Sequence, residues 1–247
     1  MKFIAIVTIG LAAGSLAMAQ QQMKVKSRGE GTAVNAMLGA TDPDSRIKAA
    51  EDLLAKYADT SFKAYALYIE ADAWQRKNDS AKALFYAEES VNADPTRFDA
   101  ALILTNLLSD QTRANDLDKE DKFKRIQGFA EMALKGLETA TKPNPSLADA
   151  QWAEFKNENK ADATQALAHL AVLRGKFEEG TKGYDDAIAL NPDPYIMIRA
   201  GRAFLDMKKP EDAVKWFDRA MASPKADETA KRIGAADKAR AVAQIKK

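Results

Sequence analysis

Gly175-x4-Gly180-Thr181-Lys182 comes close to the Gly-x4-Gly-Lys-Ser/Thr loop whose backbone amides cradle nucleotide phosphates. Three departures decide against that chemistry. Lysine and threonine are transposed, which displaces the ammonium that should reach the terminal phosphates. The preceding TQALAHLAVLR has helical spacing, whereas a phosphate loop follows a strand. No later strand offers an acidic residue for magnesium. Gly175 reads instead as the turn between two helices, where a positive φ is useful.

The other reactive residue types are sparse or badly spaced. His169 is the single histidine and lacks the Glu and Asp pairs that would complete a metal site. Neither a Gly-x-Ser-x-Gly elbow nor a His-Glu-x2-His helix is present. Glu178-Glu179 and Asp185-Asp186 are adjacent acids on a predicted outer helix, where neighbouring side chains diverge, so they read as a solvated face. Asp116-Leu117-Asp118-Lys119-Glu120 lacks the glycine and distal glutamate of a calcium loop. Asp118 is expected to cap a helix, with Asp121 in its first turn. No catalytic residue, cofactor site or metal site is expected, and the chain reads as a non-enzyme.

What could position side chains here is a set of helices. Apolar residues recur at three and four, as in Tyr65-x2-Tyr68-Ile69 with Ala73-Trp74, and in Val214-x2-Phe217-x2-Ala220-Met221. Strand-like alternation is confined to Gln22–Lys26. All eight prolines fall at predicted helix ends, and an interior proline would cost about 3 kcal/mol. The spacing predicts helices over 44–57, 61–77, 80–93, 96–109 and 118–139. Further helices are predicted over 146–174, with a break near 157–159, and over 177–190, 194–207, 210–222 and from 226 onward. Residues 20–43 carry no clear assignment. The fold class expected is all-α.

Positions repeat within this map. Gly180, Tyr184 and Ala187 return 33 residues later as Ala213, Phe217 and Ala220, each set preceded by a small residue, Ala168 and Gly201. Helix-turn-helix content at this period marks a stacked repeat. Gly201-x2-Phe204-x8-Ala213-x3-Phe217-x2-Ala220 resembles the tetratricopeptide pattern. The 161–194 and 64–97 units are similar, with Asn191-Pro192 and Asp94-Pro95 near their ends, although Ala171, Ala87 and Ser90 depart from the usual types. The 98–145 region departs most. The signal, the acidic insert and the KPNP connection are also similar to secreted bacterial tetratricopeptide proteins, a resemblance that brings no assigned activity. It implies an α-solenoid of antiparallel helix pairs, a tetratricopeptide-like right-handed superhelix over residues 44–247 with a capping C-terminal helix. Small residues Ala168, Ala187, Gly201 and Ala220 would lie at helix crossings.

The amino terminus bears on compartment. Met1-Lys2, an apolar run from Phe3 to Leu16 and Ala17-Met18-Ala19 describe a general secretory signal peptide over residues 1–19. The run is shorter than the roughly 20 residues of a membrane span. Cleavage is expected after Ala19, with an uncleaved anchor as the alternative, and no membrane span follows. Absence of cysteine excludes a lipoprotein anchor, disulfides and thiolate sites. The chain has 37 Lys and Arg against 36 Asp and Glu, a balance that argues against nucleic acid as a partner. A periplasmic or secreted protein is expected.

Stacked hairpins create an extended concave face suited to polypeptide. In the repeat register that face takes Tyr65, Tyr68, Asp72 and Gln75 from one inner helix and Asn106 from the next. It then takes Gln165 and His169, followed by Tyr195, Ile198 and Arg202. Trp74 and Trp216 fit core faces, while Trp152 either docks the long helix or stands as a partner anchor. The expectation is a scaffold or adaptor for protein or peptide partners in the cell envelope. The alternative is a module binding a small ligand or cell-wall fragment in the same groove.

Overall fold

The computed structural model describes residues 23–246, so the expected signal peptide, 1–19, lies outside the described residues. Among those residues there are eleven helices and no strand. They are α1 (Arg28–Gly39), α2 (Pro43–Lys56), α3 (Lys63–Arg76), α4 (Ser80–Ala93), α5 (Phe98–Gln111) and α6 (Lys119–Thr139). After these come α7 (Asp149–Leu173), α8 (Phe177–Leu190), α9 (Pro194–Asp206), α10 (Pro210–Ala222) and α11 (Glu228–Ile245). No described helix is long and apolar enough to cross a membrane.

Local chemistry sets the boundaries. Pro43, Pro194 and Pro210 open their helices, where a fixed φ helps and a missing N–H costs nothing. Asp42, Asp79, Asp193 and Asp227 each accept a backbone N–H of the first turn. Asp118 occupies the same position before α6 without capping it. Its carboxylate instead meets Lys122 Nζ at 2.9 Å, and Asp116 holds the same ammonium at 2.8 Å. The expected break in α7 does not occur. Asn159 donates its side-chain amide to the Phe155 carbonyl at 2.7 Å, staying within the helix instead of ending it.

Each helix packs on the next, and successive odd-numbered helices from α3 to α11 also touch, which is the contact pattern of a solenoid of antiparallel pairs. The turns inside three pairs are the same object. Asn78, Gly175 and Lys208 have φ of 60°, 76° and 59°. Around them Asp79, Lys176 and Lys209 donate to the carbonyls of Trp74, Ala171 and Phe204 at 2.9–3.0 Å. A left-handed residue closing the last helical turn frees the chain to reverse. With the 33-residue recurrence from Gly175 to Lys208, this makes the fold the tetratricopeptide-like solenoid expected.

Small residues sit where helices cross. A Cβ on Gly180 would lie 2.4 Å from Val172 Cγ2, and one on Gly183 would lie 2.8 Å from Ala168 Cβ. Ala168, Ala187 and Ala220 are buried. Ser90, at the position held by Ala187 in the later repeat, donates its hydroxyl to the Ala64 carbonyl at 2.7 Å. The divergent α5–α6 pair uses Gly136, whose Cβ would fall 2.9 Å from both the Thr96 carbonyl and Phe98 Cβ. Tyr184, Phe204, Trp216 and Phe217 fill the spaces between pairs. Trp74 is only half-buried, with Lys82 Nζ over its ring at 3.7 Å.

The ends are tied down by polar contacts. Residues 28–39, unassigned from the sequence, form α1: Ser27 caps Glu30 N, and Glu30 accepts from Lys26 N and from the Thr60 hydroxyl. The strand-like Lys24 pairs with no sheet; its N–H and carbonyl both bond Ser61. At the other end Asp237 of α11, 5 % exposed, accepts from Arg202 at 2.6 Å and Arg240 at 3.2 Å. Asp237→Ala is expected to cost about 1–2 kcal/mol, concentrated in α11. Hydrogen exchange should show faster opening of 228–245 with α3–α6 unaffected, and unchanged exchange in α11 would refute the anchoring role.

Glu70 on α3 is buried, and its Oε2 has no hydrogen-bond partner among the described residues. Burial, and secondarily the charge of Glu51, push its carboxyl up to about 7. The folded chain therefore keeps this proton after the unfolded chain has lost it. Its contribution is intact below the unfolded value and is lost as pH rises toward 7. Glu70→Gln is expected to gain about 1–2 kcal/mol at pH 8 after allowance for solvent screening, with no gain at pH 4.5. Urea melts at the two pH values check this. An equal effect at both would show that protonation is not the cause.

Candidate functional site

Three inner helices turn one face each toward a shared hollow. On α3 the spacing 68, 72, 75 aligns Tyr68, Asp72 and Gln75, and on α5 the spacing 99, 103, 106 aligns Asp99, Ile103 and Asn106. The front half of α7 supplies Phe155, Asn159 and Asp162, again at four and three. Together they wall a cavity of about 200 Å³. Phe98 meets Phe155 edge-on at 6.3 Å, and Phe155 stacks on Trp152 at 5.3 Å. Phe155 is thus the ring of α7 that meets α5, and Trp152 stacks on it from within the same helix.

The three carboxylates of the cavity differ in their compensation. Asp72 is held by Arg46 at 3.1 Å and by Arg76 at 3.0 Å. Asp99 pairs with Arg97 and accepts from Ala100 N at 2.8 Å. Burial raises the Asp99 carboxyl above its ordinary range, against the pull of Arg97. The Arg97 guanidinium also lies over the rings of Tyr65 and Tyr68, at 4.8 and 5.4 Å. Asp162 has no ion pair among the described residues and accepts from Gln165 Nε2 at 2.8 Å. Burial raises its carboxyl too, with Arg199 exerting an opposing longer-range attraction. Burial likewise raises the Tyr68 phenol well above its usual range.

Of the residues expected on the concave face, Tyr68, Asp72, Gln75 and Asn106 line the cavity. Tyr65 lies beside it, its ring 5.8 Å from that of Tyr68. Gln165 is 5 % exposed and reaches the cavity only through Asp162. The remaining four lie elsewhere. His169 faces α8, with Nδ1 3.4 Å from the Tyr184 hydroxyl, and burial lowers its pKa to about 4, so it is neutral at ordinary pH. Tyr195 reaches Asp227 at the start of α11 at 3.4 Å, and Arg202 is committed to Asp237. Ile198 is buried at 2 % exposure, which corrects its placement on an open face. Helix α9 packs against α7, α8, α10 and α11, so only the stripe through 195, 199, 202 and 206 reaches solvent. Ile198 lies one residue off that stripe.

Asp99, Phe155, Asn159 and Asp162 belong to the site and were not anticipated. Their signal was available as the three-and-four spacing that continues from Asn106 back to Asp99 and from Asp162 back to Phe155. Other candidate chemistry resolves into structure. Gly175 follows α7 rather than a strand, and Thr181 and Lys182 lie inside α8. Glu178, Glu179, Asp185 and Asp186 are solvent-exposed. Among the described residues no group of three or more His, Cys, Asp or Glu could hold a metal ion.

No protein-family model matches this sequence, and no curated protein does. Solved structures do resemble it. A thermophilic TPR protein of Thermus thermophilus is 18% identical, with 84% of this chain and 98% of that chain covered and a TM-score of 0.47. The assembly chaperone of RpL4 (Acl4) is 15% identical, with 87% and 96% covered and a TM-score of 0.37. The functional reading rests on the residues of the groove rather than on these likenesses.

Proposed function

We propose that this protein is an exported, non-enzymatic helical-repeat scaffold that holds an extended polypeptide partner in the cell envelope. The observation that carries the reading is the alignment of polar and aromatic side chains from α3, α5 and α7 along one cavity. Side chains at helical spacing on successive inner helices meet an extended chain at regular intervals, with amides for its backbone and rings for its side chains. Export rests on the residue types of Met1–Ala19.

A photo-reactive residue at Tyr68 should capture the same few envelope proteins in repeated in-cell experiments, and Asn106→Arg should abolish that capture. Removing residues 1–19 should retain the protein inside the cell. No enriched partner, with behaviour unchanged by groove substitutions, would sink the scaffold reading. A cavity of about 200 Å³ is smaller than the roughly 300–1,000 Å³ usual for small-molecule sites. A thermal-shift screen of peptides beside muropeptides and sugars separates the two classes, because a ligand of the native state raises Tm.

A further inference from the structure

We infer that the cavity between α3, α5 and α7 takes a lysine or arginine side chain of the bound polypeptide, with Asp162 as its counter-ion. This deepens the scaffold reading and rests on it. Among the described residues no lysine, arginine or histidine lines the cavity, whereas Asp72, Asp99 and Asp162 do. Asp72 and Asp99 are already matched by Arg46, Arg76 and Arg97. Asp162 has no ion pair among the described residues; the strongest charge acting on it is the longer-range attraction of Arg199, and Asp193 and Glu158 repel it more weakly. A carboxylate removed from water needs a paired charge or more hydrogen bonds than the one it has.

Gln165 is 5 % exposed and directs its carboxamide to Asp162 in the cavity wall, while its Oε1 is buried with no partner among the described residues. Gln165 does not itself line the cavity, so it acts there by fixing the Asp162 carboxylate through that one hydrogen bond. The aromatic wall suits the rest of a lysine or arginine side chain. Tyr68, Phe98 and Phe155 offer faces for an alkyl stem and a charged head. The protein's own Arg97 shows the arrangement at the rim, held by Asp99 and lying over Tyr65 and Tyr68.

The test is selection of a random heptapeptide library on the full chain, keeping only peptides whose binding Asn106→Arg removes. Most retained peptides should carry Lys or Arg at one fixed position. Replacing that residue with norleucine should weaken binding by about tenfold or more, the size of a hydrogen bond to a charged group. Asp162→Asn should erase the difference between lysine and norleucine while leaving the melting curve of the protein in place. Retained peptides without a basic position, or norleucine binding as tightly, overturn the cation assignment and leave the groove reading standing. Failure to retain any peptide overturns it as well. That failure extends to the scaffold reading only if cross-linking at Tyr68 also captures nothing.

Discussion

Replacing Ala187 by aspartate is expected to lower the free energy of unfolding by about 4 kcal/mol or more, enough to unfold a marginal domain. Ala187 has no exposed surface and belongs to the core cluster shared by α7, α8, α9, α10 and α11. It recurs as Ala220 one repeat on and as the hydrogen-bonded Ser90 in an earlier pair, so the position requires a small side chain. A carboxylate there finds no buried cation. It must ionise without a partner, or take a proton and still carry two oxygens into an apolar crossing. Ala187→Ser, whose hydroxyl can bond a carbonyl of the paired helix as Ser90 bonds that of Ala64, should cost far less. Because each pair leans mainly on its neighbours, the damage should spread from α7 to α10 and leave α2–α4 more protected in hydrogen exchange. A melting curve unchanged by the aspartate would refute the crossing geometry.

A residue that acts locally is legible in this sequence, and one that acts through its place in the stack is not. Helices α8 and α10 fall on their expected spans because Gly175, Pro192, Pro210 and the small residues at crossings act locally, through φ and through contact with the paired helix. The five groove residues on α3 and α5 were legible for the same reason, since helical spacing alone decides which of them share a face. Position along the stack is different in kind. Ile198 and Arg202 are four apart and read as neighbours on one face, yet α9 is packed on by α7, α8, α10 and α11, which leaves Ile198 buried and Arg202 paired with Asp237 of α11. Which neighbours close over a helix depends on contacts some 35 residues away, which a periodicity does not contain. The front of α7 was missed for a related reason. Residues 149–160 fall outside the 33-residue repeat, so a register built from the repeat passes over Phe155 and Asn159. Helix α1 lacks an apolar stripe; beyond Val34 and Met37 its buried face is Glu30, whose acid is satisfied by Thr60 and Lys26.

Phe217→Ala is expected to cost about 3–5 kcal/mol, and its coupling to Gly201 makes it the sharper test of how adjacent helices fit. Phe217 is fully buried on α10, and its ring lies where a side chain on Gly201 of α9 would be. A Cβ there would sit 2.5 Å from Cε1, 2.7 Å from Cδ1 and 2.8 Å from Cζ. A ring edge cannot swing aside as the tip of a flexible chain does, so Gly201→Ala alone should overpack the crossing and cost about 1–3 kcal/mol. Once the ring is removed, the same methyl enters open space. Alanine also favours a helix interior over glycine by about 0.5–1 kcal/mol, so in the Phe217→Ala background Gly201→Ala should be neutral or stabilising. The two substitutions should therefore fail to add by about 1–3 kcal/mol, with the double variant more stable than the sum of the singles. Urea unfolding of the four proteins measures this directly. Additive losses would mean that the ring and Gly201 do not meet, and that the aromatic at this repeat position fills some other gap. A strong coupling would establish that the small and aromatic positions of consecutive helices are one packing unit, chosen together rather than separately.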